Sequence, residues 1–423
     1  MFFWYKLLTY LFYPFSFIYL FLRILKKKEH PKRYKEKLSQ IHLPRGNGFL
    51  TWFHVASVGE AMSIVSLIQN CIDNEKIDKI LITSITLSSG KVIEKRFGKN
   101  KKVIHQFLPL DIPILTNKFL KHWQPNLSIF IDSEIWPNLI LNIKKKNIPL
   151  LLLNARITKK SFERWKLAIN FSKKIFEKFD LCIASDKESE NFLKILGAKN
   201  ITNYGNLKYS NSNTNLNNNL DTLFLEKIKN RKIWCATSTH PTEEIFCAKA
   251  HIKLKKNYKN ILTIIIPRHV DRVKKINTDL LNLNLETVFY SSFEKINEKT
   301  DILLIDTYGE ATKFYNISKC VFLGKSISES LKHDSGQNPI EPARLGCKIV
   351  HGPNVINFSE IYEYLKKLGI TKKINTTDEL GQTLFDELKD DKVKVNDGKI
   401  MKEIDNYGQN ILNNVVKELE KYI

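Results

Sequence analysis

Seven short runs of nearly unbroken apolar residues follow one another between residues 49 and 205: FLTWFHVAS, KILITSIT, VIHQFLPL, LSIFID, PLLLLNAR, LCIAS and ITNYG. Helical patterns such as Ala61–Asn70 and Ser161–Phe179 separate them. A strand apolar at every position has to be covered on both faces, and helices between such strands are what cover them, so the pattern predicts a parallel sheet sandwiched by helices. The alternation stops at SNSNTNLNNNLD, Ser210–Asp221, which has no periodicity and reads as a linker. It then resumes with KIWCATS, NILTIIIPR, TVFYS, DILLID, CVFLG and CKIVHG. The expected fold class is therefore α/β with two Rossmann-like domains, 29–209 and 223–400. A linker at 210–222 joins them and a C-terminal helix occupies 401–423. In this arrangement a ligand cleft is expected between the domains, at the carboxyl ends of the strands.

Residues 1–28 stand apart. Sixteen uncharged residues, Leu7 to Leu22, lie between Lys6 and Arg23 and are rich in aromatics. Spanning a bilayer takes roughly 20 apolar residues, and no small-residue cleavage site follows. The segment is expected to be a retained membrane-anchor helix. The basic run from Lys26 to Lys37 would sit against anionic headgroups and keep the following domain on the cytoplasmic side. The net charge of +23 points to an anionic partner: nucleic acid, a membrane surface or a phosphorylated substrate. Only 10 of the 67 basic residues are Arg, the residue suited to bidentate phosphate and base recognition, so the charge reads as a field more than a set of contacts. The six cysteines are scattered and read as reduced, mostly buried thiols.

Chemistry-bearing residues gather where the apolar runs end. Ser57-Val58-Gly59-Glu60 has the pattern of a helix capping box. A carboxylate at that helix start is favoured in its charged form and is also placed to accept a proton; the residues alone leave both roles open. IFIDSEIWPNLI ends a strand in Asp132 and Glu134, and Pro137 suits the first position of a helix. LLLLNARIT delivers Arg156 to a strand end, where it is expected to pair with a glutamate and support the site. Lys208 precedes the linker. In the second half, Pro267-Arg268-His269, Asp306–Glu310 and Ser335–Gly346 each lead from a strand or loop toward a helix, as in a nucleotide site, and Glu341 is a candidate for ribose hydroxyls. No Walker A, GxGxxG or Asp-x-Asp sequence occurs, so no cofactor and no metal is expected. His54, His240, His269 and His351 are expected to be local hydrogen-bonding groups.

In order, WFHVASVGE, LPLDIP, DSEIWPNLI, LLNARIT, YGNLKYS, ATSTHPTEE, IIPRHVDR, DTYGE, FLGKS, GQNPIEPA and GPNVINFSEI make this sequence resemble the 3-deoxy-D-manno-octulosonic acid (Kdo) transferases of lipopolysaccharide assembly. The resemblance implies the GT-B glycosyltransferase fold and an inverting transfer of Kdo from CMP-Kdo to the 6′-hydroxyl of the lipid A precursor, with release of CMP. It implies Glu60 as general base, and Glu134 and Lys208 as stabilisers of the transition state. Pro267, Arg268, Tyr308, Gly309, Glu310, Asn338, Pro339, Ile340 and Glu341 would contact CMP. The implied partners are CMP-Kdo, the lipid A precursor and anionic lipids of the inner membrane, with no nucleic acid. The sequence departs from the family at TSITLSSGK, at Gln337 (His in the family) and at Tyr308 (commonly Met).

Overall fold

The computed structural model describes residues 2–210, 220–331, 335–389 and 398–423; residues 211–219 of the expected linker lie outside them. The chain forms two compact units. Unit 1 takes Met1–Ser212 together with Asp405–Ile423, and unit 2 takes Asn213–Ile404.

Unit 1 is built on seven parallel strands: β1 (Leu50–His54), β2 (Lys79–Ser84), β3 (Val103–Phe107), β4 (Leu127–Ile131), β5 (Leu150–Ala155), β6 (Leu181–Ala184) and β7 (Ile201–Asn203), in the order β3-β2-β1-β4-β5-β6-β7. Every residue of β1, β4, β5 and β6 is buried, as strands covered on both faces require. Trp52 packs on Phe119 and Phe130 with ring centroids 5.0 and 5.4 Å away. In unit 2 the strands are β8 (Lys232–Thr239), β9 (Ile261–Pro267), β10 (Thr287–Phe289), β11 (Ile302–Leu304), β12 (Cys320–Leu323), β13 (Lys348–His351) and β14 (Thr371–Lys373), ordered β10-β11-β9-β8-β12-β13-β14, again parallel. Trp234, Ile265, Leu304 and Phe322 lie in its core. The six cysteines are buried and unbridged.

Eight helices frame the chemistry of the two units: α1 (Phe2–Phe12), α2 (Ser16–Leu25), α3 (Val58–Ser63), α4 (Pro137–Lys145), α5 (Glu243–Lys255), α6 (Ala311–Ile317), α7 (Ile340–Arg344) and α8 (Lys399–Leu419). From Asp405 onward α8 belongs to unit 1. There Glu418 accepts from Tyr204 Oη at 3.0 Å, and Tyr407 lies 6.0 Å from the ring of Tyr209.

The expected single anchor helix is instead two helices meeting at 62°, and among the described residues no single helix is long and apolar enough to cross a membrane. Pro14 sits in the break. It has no N–H, and its ring collides with the carbonyl four residues back, so a helix cannot run through it undisturbed. The pair rests on unit 1 through Leu20, which packs with Leu38, Ile112 and Leu115. Its other side exposes Phe3, Trp4, Leu8, Leu11, Phe15, Ile18, Phe21 and Leu25, each about 60% accessible or slightly more.

Candidate active site

In sheet 1 the strand order runs outward in both directions from the β1–β4 pair. In parallel sheets of this kind the point where the order reverses is the usual position of a ligand crevice, because the loops leaving the two neighbours lead away to opposite sides. Glu60 follows β1 and Glu134 follows β4, so both candidate carboxylates flank this point.

Glu60 completes a capping box. Ser57 Oγ accepts from Glu60 N at 3.2 Å and donates to Glu60 Oε1 at 2.8 Å, while Glu60 Oε2 accepts from Ala56 N at 2.7 Å. The helix start does not dominate its ionisation, contrary to the sequence-based expectation. Burial raises the Glu60 pKa above the ordinary glutamate value; the Ala56 and Ser57 bonds oppose this, and the neighbouring charges of Glu134 and Asp132 reinforce it. A carboxylate so raised is a stronger base than an exposed one. At Gly59 an added Cβ would meet only Ser57 Oγ, at 3.9 Å, which leaves open room beside this first turn.

Glu134 is tuned the opposite way. Its Oε2 accepts from Trp136 Nε1 at 2.9 Å and lies 3.3 Å from His54 Nε2. Burial works against its ionisation, but His54 and Trp136 outweigh burial and lower its pKa. His54 is fully buried at the end of β1, and its Nδ1 lies 3.0 Å from Thr83 Oγ1, which also accepts from Trp52 Nε1 at 2.9 Å. The histidine is thus a hydrogen-bonding group as expected, yet its partner is a candidate catalytic residue. Its place at the end of β1, beside the β4 end that carries Glu134, was the available signal.

Asp132 sits in the left-handed region at φ 61°. Burial raises its pKa, and the charges of Lys208 and Arg156 pull it back. The Arg156 charge thus reaches Asp132. Lys208 lies in the 3-10 turn Leu207–Ser210, held by Leu207 N donating to Asn154 Oδ1 at 2.9 Å and Lys208 N donating to Asn206 Oδ1 at 3.0 Å. Its Nζ forms no hydrogen bond or ion pair among the described residues. Unit 1 thus brings Glu60, Asp132, Glu134, Arg156 and Lys208 into one electrostatic group.

Sheet 2 runs outward from the β8–β12 pair. Pro267 ends β9, and Arg268 N donates to Thr239 O at the end of β8, 3.0 Å away. The Arg268 side chain is exposed and unpaired among the described residues. Tyr308 is 68% accessible, and Gly309 takes φ 86° with open space where a Cβ would stand. Glu310 pairs with Lys313 at 2.7 Å at the start of α6. Asn338 Oδ1 accepts from Ile340 N at 3.1 Å, and Glu341 is exposed on α7, which packs against α6. Pro339 and Ile340 are buried, so the Ile340 side chain is core and only its backbone faces the loop chemistry.

Two residues absent from the sequence-based site hold these loops. Glu243, fully buried in the first turn of α5, accepts from His240 N at 2.9 Å in the loop after β8. It also accepts from Lys325 N at 2.7 Å, Ser326 N at 2.9 Å and Ile327 N at 3.0 Å in the loop after β12. Glu244 takes a two-pronged ion pair from Arg272 at 3.0 and 3.1 Å, which fixes the segment after β9. Ser238, Thr242 and Lys325, all beside Glu243, adopt φ of 53°, 81° and 59°. Such conformations cost about 1–3 kcal/mol each and persist only where surrounding bonds impose them. THPTEE itself shows only the short bond from His240 N; the partners in the loop after β12 lie some 80 residues from Glu243, and Arg272 lies 28 from Glu244. Among the described residues no group of three His, Cys, Asp or Glu converges as metal ligands.

Residues 30–211 match the family described as 3-Deoxy-D-manno-octulosonic-acid transferase (kdotransferase). A 3-deoxy-D-manno-octulosonic acid transferase of Rickettsia bellii is 32% identical over 89% of this chain and 88% of its own length. One from Haemophilus influenzae is 31% identical over 82% and 81%. Among solved structures, UDP-GlcNAc 2-epimerase from Neisseria meningitidis overlays with a TM-score of 0.56 at 14% identity, covering 88% of this chain and 100% of its own. That likeness is one of fold, the GT-B-like pairing of two parallel-sheet units.

Proposed function

The chain belongs to the family of 3-deoxy-D-manno-octulosonic acid (Kdo) transferases, and from that premise we propose that it moves Kdo from CMP-Kdo to the 6′-hydroxyl of the lipid A precursor with inversion. The observation that carries the reading is the paired carboxylates at the β1–β4 crevice, with Glu60 made more basic and Glu134 held ionised by His54.

The reaction follows from these assignments. The acceptor O–H gives its proton to Glu60 as its oxygen bonds to the anomeric carbon. The bond from that carbon to the CMP phosphate oxygen breaks on the opposite face, and CMP leaves with the electron pair. An alcohol is a weak acid and a carboxylate a modest base, so proton transfer accompanies bond formation. Positive charge developing on the sugar is stabilised by Glu134. Arg268, a cation of unit 2 that makes no ion pair among the described residues, is suited to the departing phosphate, and Lys208, likewise without an ion pair among the described residues, is assigned with Glu134 to stabilising the transition state. Pro267, Tyr308, Gly309, Glu310, Asn338 and Glu341 offer the rest of the CMP contacts, and Ile340 contributes only through its backbone.

The acceptor is a lipid, and the apolar side of α1 and α2 supports contact with the inner membrane from its cytoplasmic face. Lys26, Lys27 and Lys28 are exposed where α2 ends, placed for anionic headgroups. A bent, aromatic-rich pair suits a position within the interfacial layer. The Lys-rich surface favours the same lipids, with no nucleic acid required.

The test is product analysis with purified enzyme, CMP-Kdo and tetra-acylated lipid A precursor, beside a panel of UDP-sugars and the Glu60→Ala variant. Transfer to the 6′ position from CMP-Kdo alone, lost in the variant with donor binding retained, is the expected result. Transfer from a UDP-sugar, or an undiminished variant, would overturn the assignment.

A further inference from the structure

Helix α4 begins directly after the Glu134-Ile135-Trp136 segment, and it begins without a cap of its own. Its N-cap residue is Trp136, whose side chain makes no cap hydrogen bond, and Pro137 occupies the first turn. The first free amides, Asn138 N and Leu139 N, need acceptors from elsewhere. Asp111, in the loop after β3, supplies both. Its Oδ2 accepts from Asn138 N at 3.1 Å and its Oδ1 from Leu139 N at 2.8 Å. The same Oδ2 accepts from Tyr5 Oη of α1 at 2.8 Å. Asn138 Nδ2 donates to Asp111 O at 2.7 Å and to Thr9 Oγ1, also on α1, at 3.0 Å. Two polar side chains of the largely apolar α1 thus close a hydrogen-bonded ring around the start of α4.

We infer that α1 is a positioning element for the catalytic segment as well as an apolar anchor: Tyr5 and Thr9, acting through Asp111 and Asn138, fix the start of α4 and with it Glu134. The inference rests on the role given to Glu134 above. Three residues separate Glu134 from Asn138, the Trp136 indole already bonds the Glu134 carboxylate, and the ring lies on the far side of Pro137, whose φ is fixed. A shift of the α4 start therefore passes to Glu134 with little slack. The opposite side of α1 carries Phe3, Trp4, Leu8 and Leu11 in the open. Whatever covers those residues holds α1 in place, and a membrane that does so steadies Glu134 at the moment lipid acceptor is at hand.

The experiment uses the full chain in detergent micelles containing acceptor, so that delivery to a bilayer is not at issue. Tyr5→Phe keeps the ring and removes the donor; Asp111→Asn alters the acceptor. For each, kcat should fall by about 3–10-fold, within the range that small misplacements of a reacting group produce, while the KM for CMP-Kdo stays constant. The double variant should be no worse than the poorer single, because both break one ring. The acid limb of kcat should move to lower pH, since Glu134 is one of two carboxylates, with Asp132, whose charge raises the Glu60 pKa; a mere loss of folded protein would not move it. Amide exchange at Asn138 and Leu139 should quicken in Tyr5→Phe. Wild-type kcat and an unmoved acid limb in Tyr5→Phe would overturn the inference, as would unchanged exchange at the two amides. If the wild-type chain transfers no Kdo, the assigned reaction is what fails, and the exchange measurement still decides whether α1 holds the start of α4.

Discussion

Two seven-stranded parallel sheets, each running outward from one strand pair, carry opposite chemistry at that pair. Unit 1 crowds three carboxylates: burial and neighbouring negative charge raise the proton affinity of Glu60 and Asp132, while His54 and Trp136 lower that of Glu134. Unit 2 also has a carboxylate there, but Glu243 is wrapped in four backbone N–H groups and is spent on shaping loops, while the group left free is the cation Arg268. The contrast teaches that topology supplies a crevice and no more. In one unit the carboxylates at the strand ends differ in proton affinity, Glu60 raised and Glu134 lowered; in the other the carboxylate is held by four N–H groups and an exposed cation stands nearby.

The sharpest way to break this division is Glu60→Ala. General-base assistance contributes about 10²–10⁴-fold, so kcat should fall by that order while donor binding, measured by calorimetry with CMP, is retained. Equal loss of CMP affinity would dissolve the division of labour. Glu243→Ala comes next. It strands four buried or half-buried N–H donors, each worth about 1–3 kcal/mol when unmade, so unit 2 should melt several degrees lower and the donor KM should rise with kcat less affected. A variant with wild-type Tm would show that the strained loop residues hold themselves. Arg268→Ala removes one charge-assisted contact to phosphate, worth about 1.5–3 kcal/mol, and should raise the donor KM by about 10–100-fold without loss of stability.

The smallest effect tests both units at once. Burial lowers the pKa of His105 in unit 1 to about 3, helped by the Arg33 charge, and that of His351 in unit 2 to about 4. Both lie below the ordinary value of about 6.5. The unfolded chain therefore binds protons first, and stability present above pH 6.5 is lost as pH falls toward 4 and then 3, by on the order of 2 kcal/mol per histidine at pH 5. Asp301, held near 2 by His251 and Lys255 despite burial, adds stability above pH 3.8 that disappears as pH falls through 2. Urea unfolding at pH 7 and pH 5 should show the first loss, and His351→Gln should reduce it. An unchanged difference between the two pH values would remove His351 from the account.

Thirteen of the fourteen strands were readable because double-sided burial writes itself as apolar runs. The exception, β14, is Thr371-Lys372-Lys373, an edge strand with both lysines exposed, so it carries no such run. The bend between α1 and α2 was signalled by Pro14 and still went unread, because apolar content alone suggests one continuous helix. At the site, Glu60, Glu134 and Arg268 were legible as polar residues at strand ends. The partnerships that tune them were not, since His54 meets Glu134 across 80 positions and Asp111 meets Asn138 across 27. Side-chain pairing over such distances has no local imprint.

The return of the last residues to unit 1 has a consequence for biogenesis. At Gly408 of α8 a Cβ would stand 2.1 Å from Tyr209 O, so helix and Lys208-bearing turn are in backbone contact. A ribosome releases residues 405–423 only after all of unit 2 has emerged, which makes the first-synthesised half of the protein the last to be finished. Loss of residues 405–423 would therefore be felt in unit 1 rather than in unit 2, which they adjoin in sequence, and a nascent chain that had emerged only as far as residue 404 would hold every residue of unit 2 while unit 1 still lacked its last helix.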